Sequence, residues 1–341
     1  MTNEQIHLQP TPPRAARSGL SRNSFNVLGT VCILAGTLAA NAAGLGRLFN
    51  GFYVSNATVP LEEIRSGGPP RDGIPAIDRP RFVSPRAVRD LQPEDRVISV
   101  TAGGQTRAYP LRILNHHETV NDEFGGSALT ITYCPLCGTA MVFDRNFDGR
   151  RLDFGVSGLL YYSALLMYDR QTESLWSQVA MQAISGPRVG ATLTLIPSET
   201  MTWEAWRARY PGGQVLSSNT GFQRDYSRNP YAGYEQSDRV AYPVPLTRAE
   251  LPNKEWVTGI LMDGKAAAIP HRALARVGRV ETNVAGIPIE VRYDAPSESV
   301  TVVDRRSGEQ IPFVNLYWFA WQAFHPHTIL WTPETESTPI Q

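Results

Sequence analysis

Cys134 and Cys137 stand in the sequence Cys-Pro-Leu-Cys, and Gly138 follows the second thiol. Two thiolates at this spacing can converge on one metal ion, and a glycine after the second lets the chain turn tightly. The pair supplies half of a tetrahedral site. His117 and Met141 are candidates for the rest, with His116 beside them and His325 and His327 more distant. A His–Cys–Cys set with a thioether suits copper, and the same set with a carboxylate or water suits zinc. The expectation is a metal-binding protein holding a copper or zinc ion on His117, Cys134, Cys137 and Met141, in copper redox chemistry or copper handling. Two rivals share the same residues. One is thiol–disulfide exchange at Cys134 and Cys137. The other is an inert bridge in a non-catalytic structural or ligand-binding module. Exchange pairs usually sit at a helix N-terminus, which lowers the thiol pKa. Here residues 139–145 alternate like a strand, which counts against that arrangement.

Other polar residues cluster nearby in sequence. His116-His117-Glu118-Thr119-Val120-Asn121-Asp122 is dense in possible ligands and general bases, although Asn121 and Asp122 also suit a plain turn. Residues 168–178 bring Asp169, Arg170, Glu173 and Trp176 into one loop and strand, equally consistent with a structural Asp–Arg turn. Asp144 is a further candidate. The aromatic stripe at 317–326 has helical spacing and reads as core. No Gly-rich phosphate loop, Gly-x-Ser-x-Gly elbow or His-Glu-x-x-His occurs in the sequence.

The elements that must position these groups are short and mostly strands. Among 341 residues, 26 prolines and 28 glycines favour turns over long helices. Strands are predicted at 97–100 and 106–109, paired around Gly103-Gly104, and further strands at 129–133, 140–143 and 152–156. Pro110 can open a short helix, and 202–209 forms another that ends at Pro211. Lys plus Arg and Asp plus Glu are both 32, a balance that argues against a nucleic-acid partner.

Shifted by 160 residues, the chain matches itself without gaps. Val97, Gly104, Ala108, Pro110, Arg112 and Leu114 recur as Val257, Gly264, Ala268, Pro270, Arg272 and Leu274. Val120, Gly126, Tyr133, Val142, Asp144 and Arg145 recur as Val280, Gly286, Tyr293, Val302, Asp304 and Arg305. The expected fold is a β-rich α+β body, two copies of a related β-rich unit with short helices, behind an N-terminal export or anchor segment. The second copy replaces His117, Cys134 and Cys137 by Val277, Asp294 and Ser297. The thiols are therefore not required to build the unit.

At the N-terminus, Arg14, Arg17 and Arg22 precede an uncharged apolar run at 24–46. That is an export pattern, read as a single transmembrane anchor or as a signal segment cleaved near Ala40-Asn41-Ala42. The expected organisation is a basic cytoplasmic segment 1–23, the anchor or signal 24–46, a Pro-rich strap 47–95, a first unit 96–255 with the thiols, and a degenerate second unit 256–341. The membrane partner is then the N-terminal segment. The body would work outside the cytoplasm, as an anchored, periplasmic or extracellular protein.

Five separated segments, at 66–85, 117–122, 132–145, 154–178 and 318–326, together resemble an exported bacterial and archaeal family, domain of unknown function 3179. The resemblance carries no activity. It implies that the family's signature falls on His117, Asp122, Cys134, Cys137, Asp144, Asp169, Arg170 and Trp176. Where members usually have a polar residue after the first Leu of the glycine-led stretch, this chain has Leu160-Tyr161-Tyr162.

Overall fold

The computed structural model describes residues 48–332. The segment read as an anchor or signal, with Cys32, lies outside them. Among the described residues no helix is long and apolar enough to cross a membrane.

The body is β-rich and forms a five-bladed β-propeller. Blade 1 is built on the hairpin Arg96–Ala102 and Gln105–Pro110, flanked by Glu199–Thr202, Gln214–Leu216 and Phe82–Val83. Blade 2 holds Thr119–Phe124, Ser127–Cys134, Thr139–Asp144 and Leu195–Ile196. Blade 3 holds Phe154–Tyr161, Ala164–Asp169, Leu175–Ser177 and Gln182–Ser185, with Ile64–Ser66 on its edge. Blade 4 is built on Trp256–Met262 and Lys265–Pro270, flanked by Val314–Tyr317 and Ile329–Leu330. Blade 5 holds Arg279–Val284, Ile287–Asp294 and Ser299–Asp304. Alternating apolar residues make each sheet two-sided, so every blade buries its faces against neighbours.

The Pro-rich strap is part of the body. Its strands Phe82–Val83 and Ile64–Ser66 add to blades 1 and 3, Leu48–Phe49 and Phe52–Tyr53 pair with each other, and buried Ile77 bridges to Val120.

The central hairpin of blade 1 and the first three strands of blade 2 recur in blades 4 and 5 with bounds 160 residues apart, from Arg96–Ala102 against Trp256–Met262 to Thr139–Asp144 against Ser299–Asp304. The registers recur too: Val97 pairs Pro110 as Val257 pairs Pro270. A second correspondence begins at the closing strands. Trp203–Arg209 and Trp318–Phe324 are both helices after an antiparallel edge strand, and their sequences share Trp-x-Ala-Trp-x-Ala-x-x-Pro at an offset of 115. The offset falls because the first half carries extra chain between these parts, and that chain folds as blade 3.

The halves lock reciprocally. Thr202 N–H donates to Ser297 O at 3.0 Å, and Tyr317 N–H donates to Cys137 O at 2.9 Å. Each half thus sets its closing strand on the other's turn. The tryptophans of these helices are buried, as the spacing at 317–326 predicted for the second.

Candidate functional site

The thiols lie where strand Ser127–Cys134 turns into Thr139–Asp144. Cys137 N–H closes the turn on Cys134 O at 3.2 Å, and Gly138 then takes φ +66°. A Cβ at Gly138 would sit 2.6 Å from the Trp256 ring, so close packing as well as the turn requires glycine. Both sulfurs are free and buried, 3.3 Å apart. Cys137 Sγ also reaches Ser163 O at 3.3 Å.

Ser163 belongs to the two-residue turn Tyr162-Ser163 of blade 3, and both residues have positive φ, 50° and 63°. Such a turn favours Asn-Gly, so Tyr-Ser holds it against strain. Tyr161 and Tyr162, at the departure from the family pattern, stack at 4.0 Å and pack on Phe324.

The two thiols are poised in opposite directions. Burial pushes Cys134 up, but Cys137 Sγ and the amide N–H groups of Cys137, Leu165 and Leu136 outweigh it, and the thiol falls below its ordinary range. Burial raises Cys137 well above that range, and Cys134 and the Glu118 carboxylate raise it further.

Glu118 is a member of the site that the sequence reading did not single out. It is 8% exposed, and its O accepts Tyr133 N–H at 2.8 Å, one residue before Cys134. Burial, then the Cys134 charge, push its carboxyl up to about 8. Above the pair runs the loop from 217 to 255, which contains one short helix, Ala232–Glu235. Tyr231 Oη lies 3.4 Å from Glu118 Oε1, and Tyr234 Oη donates to Leu136 O at 2.8 Å. Beside the turn, a cavity of about 520 Å³ between the halves is lined by Tyr133, Gly138, Arg112, Glu235, Trp256 and Tyr317, among others.

Met141 shares this region. Cys134 pairs with Thr139, so Met141, two residues on, presents to the same sheet face and joins the same apolar cluster.

His117 is engaged elsewhere. Its Nδ1–H donates to Pro75 O at 2.7 Å, so Nε2 is the acceptor, and Tyr226 Oη lies 2.6 Å from it. Both nitrogens are used, and burial lowers the ring's pKa to about 4. His116 Nε2–H donates to Arg228 O at 3.0 Å. The histidines anchor the covering loop. Among the described residues no group of three His, Cys, Asp or Glu is placed to hold a metal ion. His117→Phe should keep the ring packed on Phe222 and lose both hydrogen bonds. We expect a loss of about 1–3 kcal/mol in urea unfolding and faster proteolysis within 217–255. A wild-type cleavage pattern would show that the loop does not depend on this anchor.

The remaining candidates form separate structural networks. Asp122 accepts from Arg107 at 2.6 Å and from Tyr109. Asp144 caps its turn through Asn146 N–H at 2.8 Å. Asp169 accepts from Thr172 N–H at 2.6 Å and Trp176 Nε1–H at 2.8 Å, closing the hairpin. Arg170 pairs with Asp78 at 3.3 Å, and Glu173 with Arg71 at 2.8 Å, fastening the strap to blade 3.

Fold and site together define a β-propeller with two free, buried thiols held side by side on one turn. The chain belongs to the family described as a protein of unknown function (DUF3179), whose model matches residues 71–328. No curated protein and no solved structure matches it.

Proposed function

We propose that the protein is a thiol–disulfide oxidoreductase whose redox pair is Cys134 and Cys137. The observation that carries this reading is geometric: two free, buried sulfurs lie 3.3 Å apart across one turn, closed by Cys137 N–H on Cys134 O. The direction of the shifts agrees, with Cys134 lowered and Cys137 raised. An exchange pair needs one nucleophile and one resolving thiol. The metal reading finds two sulfurs within reach of one ion and Met141 on their face, but His117 has no free nitrogen to add.

A location outside the cytoplasm, read from residues 1–46, belongs to the same proposal. So does a duplicated origin, in which 96–255 and 256–341 descend from one two-blade unit and blade 3 was gained by the first. The equal offsets and the reciprocal locking support it.

The test uses the full chain and glutathione disulfide. Cys137→Ser should accumulate a stable mixed disulfide on Cys134, and Cys134→Ser should form none. Wild type should pass to an internal disulfide. Bound metal that disappears in Cys134→Ser, with no mixed disulfide in any variant, would replace this reading by the metal one. Neither behaviour, in variants that only lose stability, would leave a structural module.

A further inference from the structure

We propose that Glu118 is the buried base of the dithiol, the group that takes the proton from Cys137 when the internal disulfide forms. This rests on the exchange reading above.

The first support is backbone geometry. Glu118 has φ +56°, a left-handed conformation that a residue with a Cβ adopts at a cost. At the same place in the second half stands Gly278, with φ +72°. The two positions do the same backbone work: Glu118 O accepts Tyr133 N–H, and Gly278 O accepts Tyr293 N–H at 2.9 Å. The second half thus fills a left-handed position with the unstrained residue. The first half fills it with glutamate, and only the first half has thiols on the next turn, where the second has Asp294 and Ser297. The strain is tolerated where the side chain has a use.

The second support is what surrounds the carboxyl. The titratable groups facing it are Cys134 and Cys137 on the turn and Tyr231 on the covering loop, with Tyr242 behind Tyr231. Among the described residues no cation pairs with it. A buried carboxyl held only by a tyrosine hydroxyl at 3.4 Å has no structural ion pair to serve. Its raised pKa, about 8, suits it to exchange protons with a thiol.

The steps balance as follows. Cys134 thiolate attacks a disulfide R–S–S–R. The bond from Cys134 Sγ to one R-bearing sulfur forms, the R–S–S–R bond breaks, and one RS⁻ leaves. Glu118 carboxylate then accepts the Cys137 proton. Cys137 Sγ attacks Cys134 Sγ, the internal disulfide forms, and the second RS⁻ leaves. Glu118 gives its proton to that thiolate or to water. The dithiol is oxidised by two electrons and R–S–S–R is reduced to two thiols.

The probe is dithionitrobenzoate on the folded full chain, because each step releases one coloured thiolate. In wild type the second release should rise with pH around a midpoint near 8, tracking Glu118. Glu118→Gln should retain a first release and slow the second about 100-fold relative to the first, with that pH limb lost. Glu118→Gly should slow the second release equally while raising Tm, since it installs the second half's residue and relieves the left-handed strain. A structural role predicts the reverse, a lower Tm and an unchanged second release. Second releases equal in wild type and Glu118→Gln would overturn the role of Glu118 and leave the dithiol standing. No release from folded wild type would overturn the exchange reading and this inference with it.

Discussion

Asp122→Ala should destabilise the protein by about 3–5 kcal/mol, because it leaves a buried guanidinium with only neutral acceptors and no counter-charge. Asp122 is 4% exposed and Arg107 9%. Asp122 Oδ2 accepts from Arg107 Nη1 at 2.6 Å and from the Tyr109 hydroxyl, and Oδ1 accepts Glu123 N–H at 2.7 Å. Arg107 lies between the rings of Phe82 and Phe124, 4.3 and 4.5 Å from their centroids. It cannot turn to water without opening that sandwich. The second half shows how the cost can be avoided. At the places of Arg107, Tyr109 and Asp122 it carries Ala267, Ile269 and Thr282, so ion pair and hydroxyl are replaced together. The triple variant Arg107→Ala, Tyr109→Ile, Asp122→Thr should therefore be more stable than Asp122→Ala alone, despite two further changes. Guanidinium denaturation of wild type, Asp122→Ala and the triple variant measures this. A triple variant less stable than Asp122→Ala would mean that the three side chains do not act as one network.

Much of this architecture was legible because the strands keep a period of two and the turns carry glycine. The 160-residue offset predicted recurring element bounds from Val97 to Arg145, and the bounds recur. The propeller was not legible. Blade 3 interrupts the first half, so the closing strand and its helix recur at 115 rather than 160. The shared Trp-x-Ala-Trp-x-Ala-x-x-Pro was the signal that could have revealed them. The thiols were found from spacing alone, and Met141 lies on their sheet face in the same apolar cluster. His117 was grouped with the thiols because sequence shows a ring and not its partners. Pro75 and Tyr226, which occupy it, lie far along the chain in opposite directions. Asp169, Arg170, Glu173 and Trp176 proved to close a hairpin and fasten the strap. Glu118 stood in a stretch read as rich in general bases without being singled out; what marks it is its counterpart, a glycine at Gly278 in a left-handed position that here a glutamate fills.

Glu118 and His117 should impose opposite slopes on stability against pH. The folded pKa of Glu118, about 8, lies above its ordinary 4.5, so between these values the folded state holds the extra proton. Its contribution is complete below about 4.5 and is lost as pH rises through 8. The folded pKa of His117, about 4, lies below its ordinary 6.5, so the unfolded state takes the proton in that window. Stability is then complete above about 6.5 and is lost as pH falls toward 4. Each buried group acts with a slope of about 1.4 kcal/mol per pH unit. His271 and His325, also lowered to about 4 by burial, add to the acid limb. Stability should climb to a maximum near pH 6.5 and decline toward pH 8. The lowered Cys134 opposes that decline, so the clean measure is a difference between proteins. Urea unfolding at about pH 5, 6.5 and 8 should show Glu118→Gln gaining on wild type as pH rises, by up to about 2 kcal/mol between 6.5 and 8. His117→Phe should lose least at low pH, where the wild-type imidazole is already a burden to the fold. Parallel curves for wild type and Glu118→Gln above pH 6.5 would mean that the carboxyl is ionised in the folded protein. A carboxylate that costs nothing to ionise there would be solvated, and the second release of dithionitrobenzoate would then show no midpoint near 8.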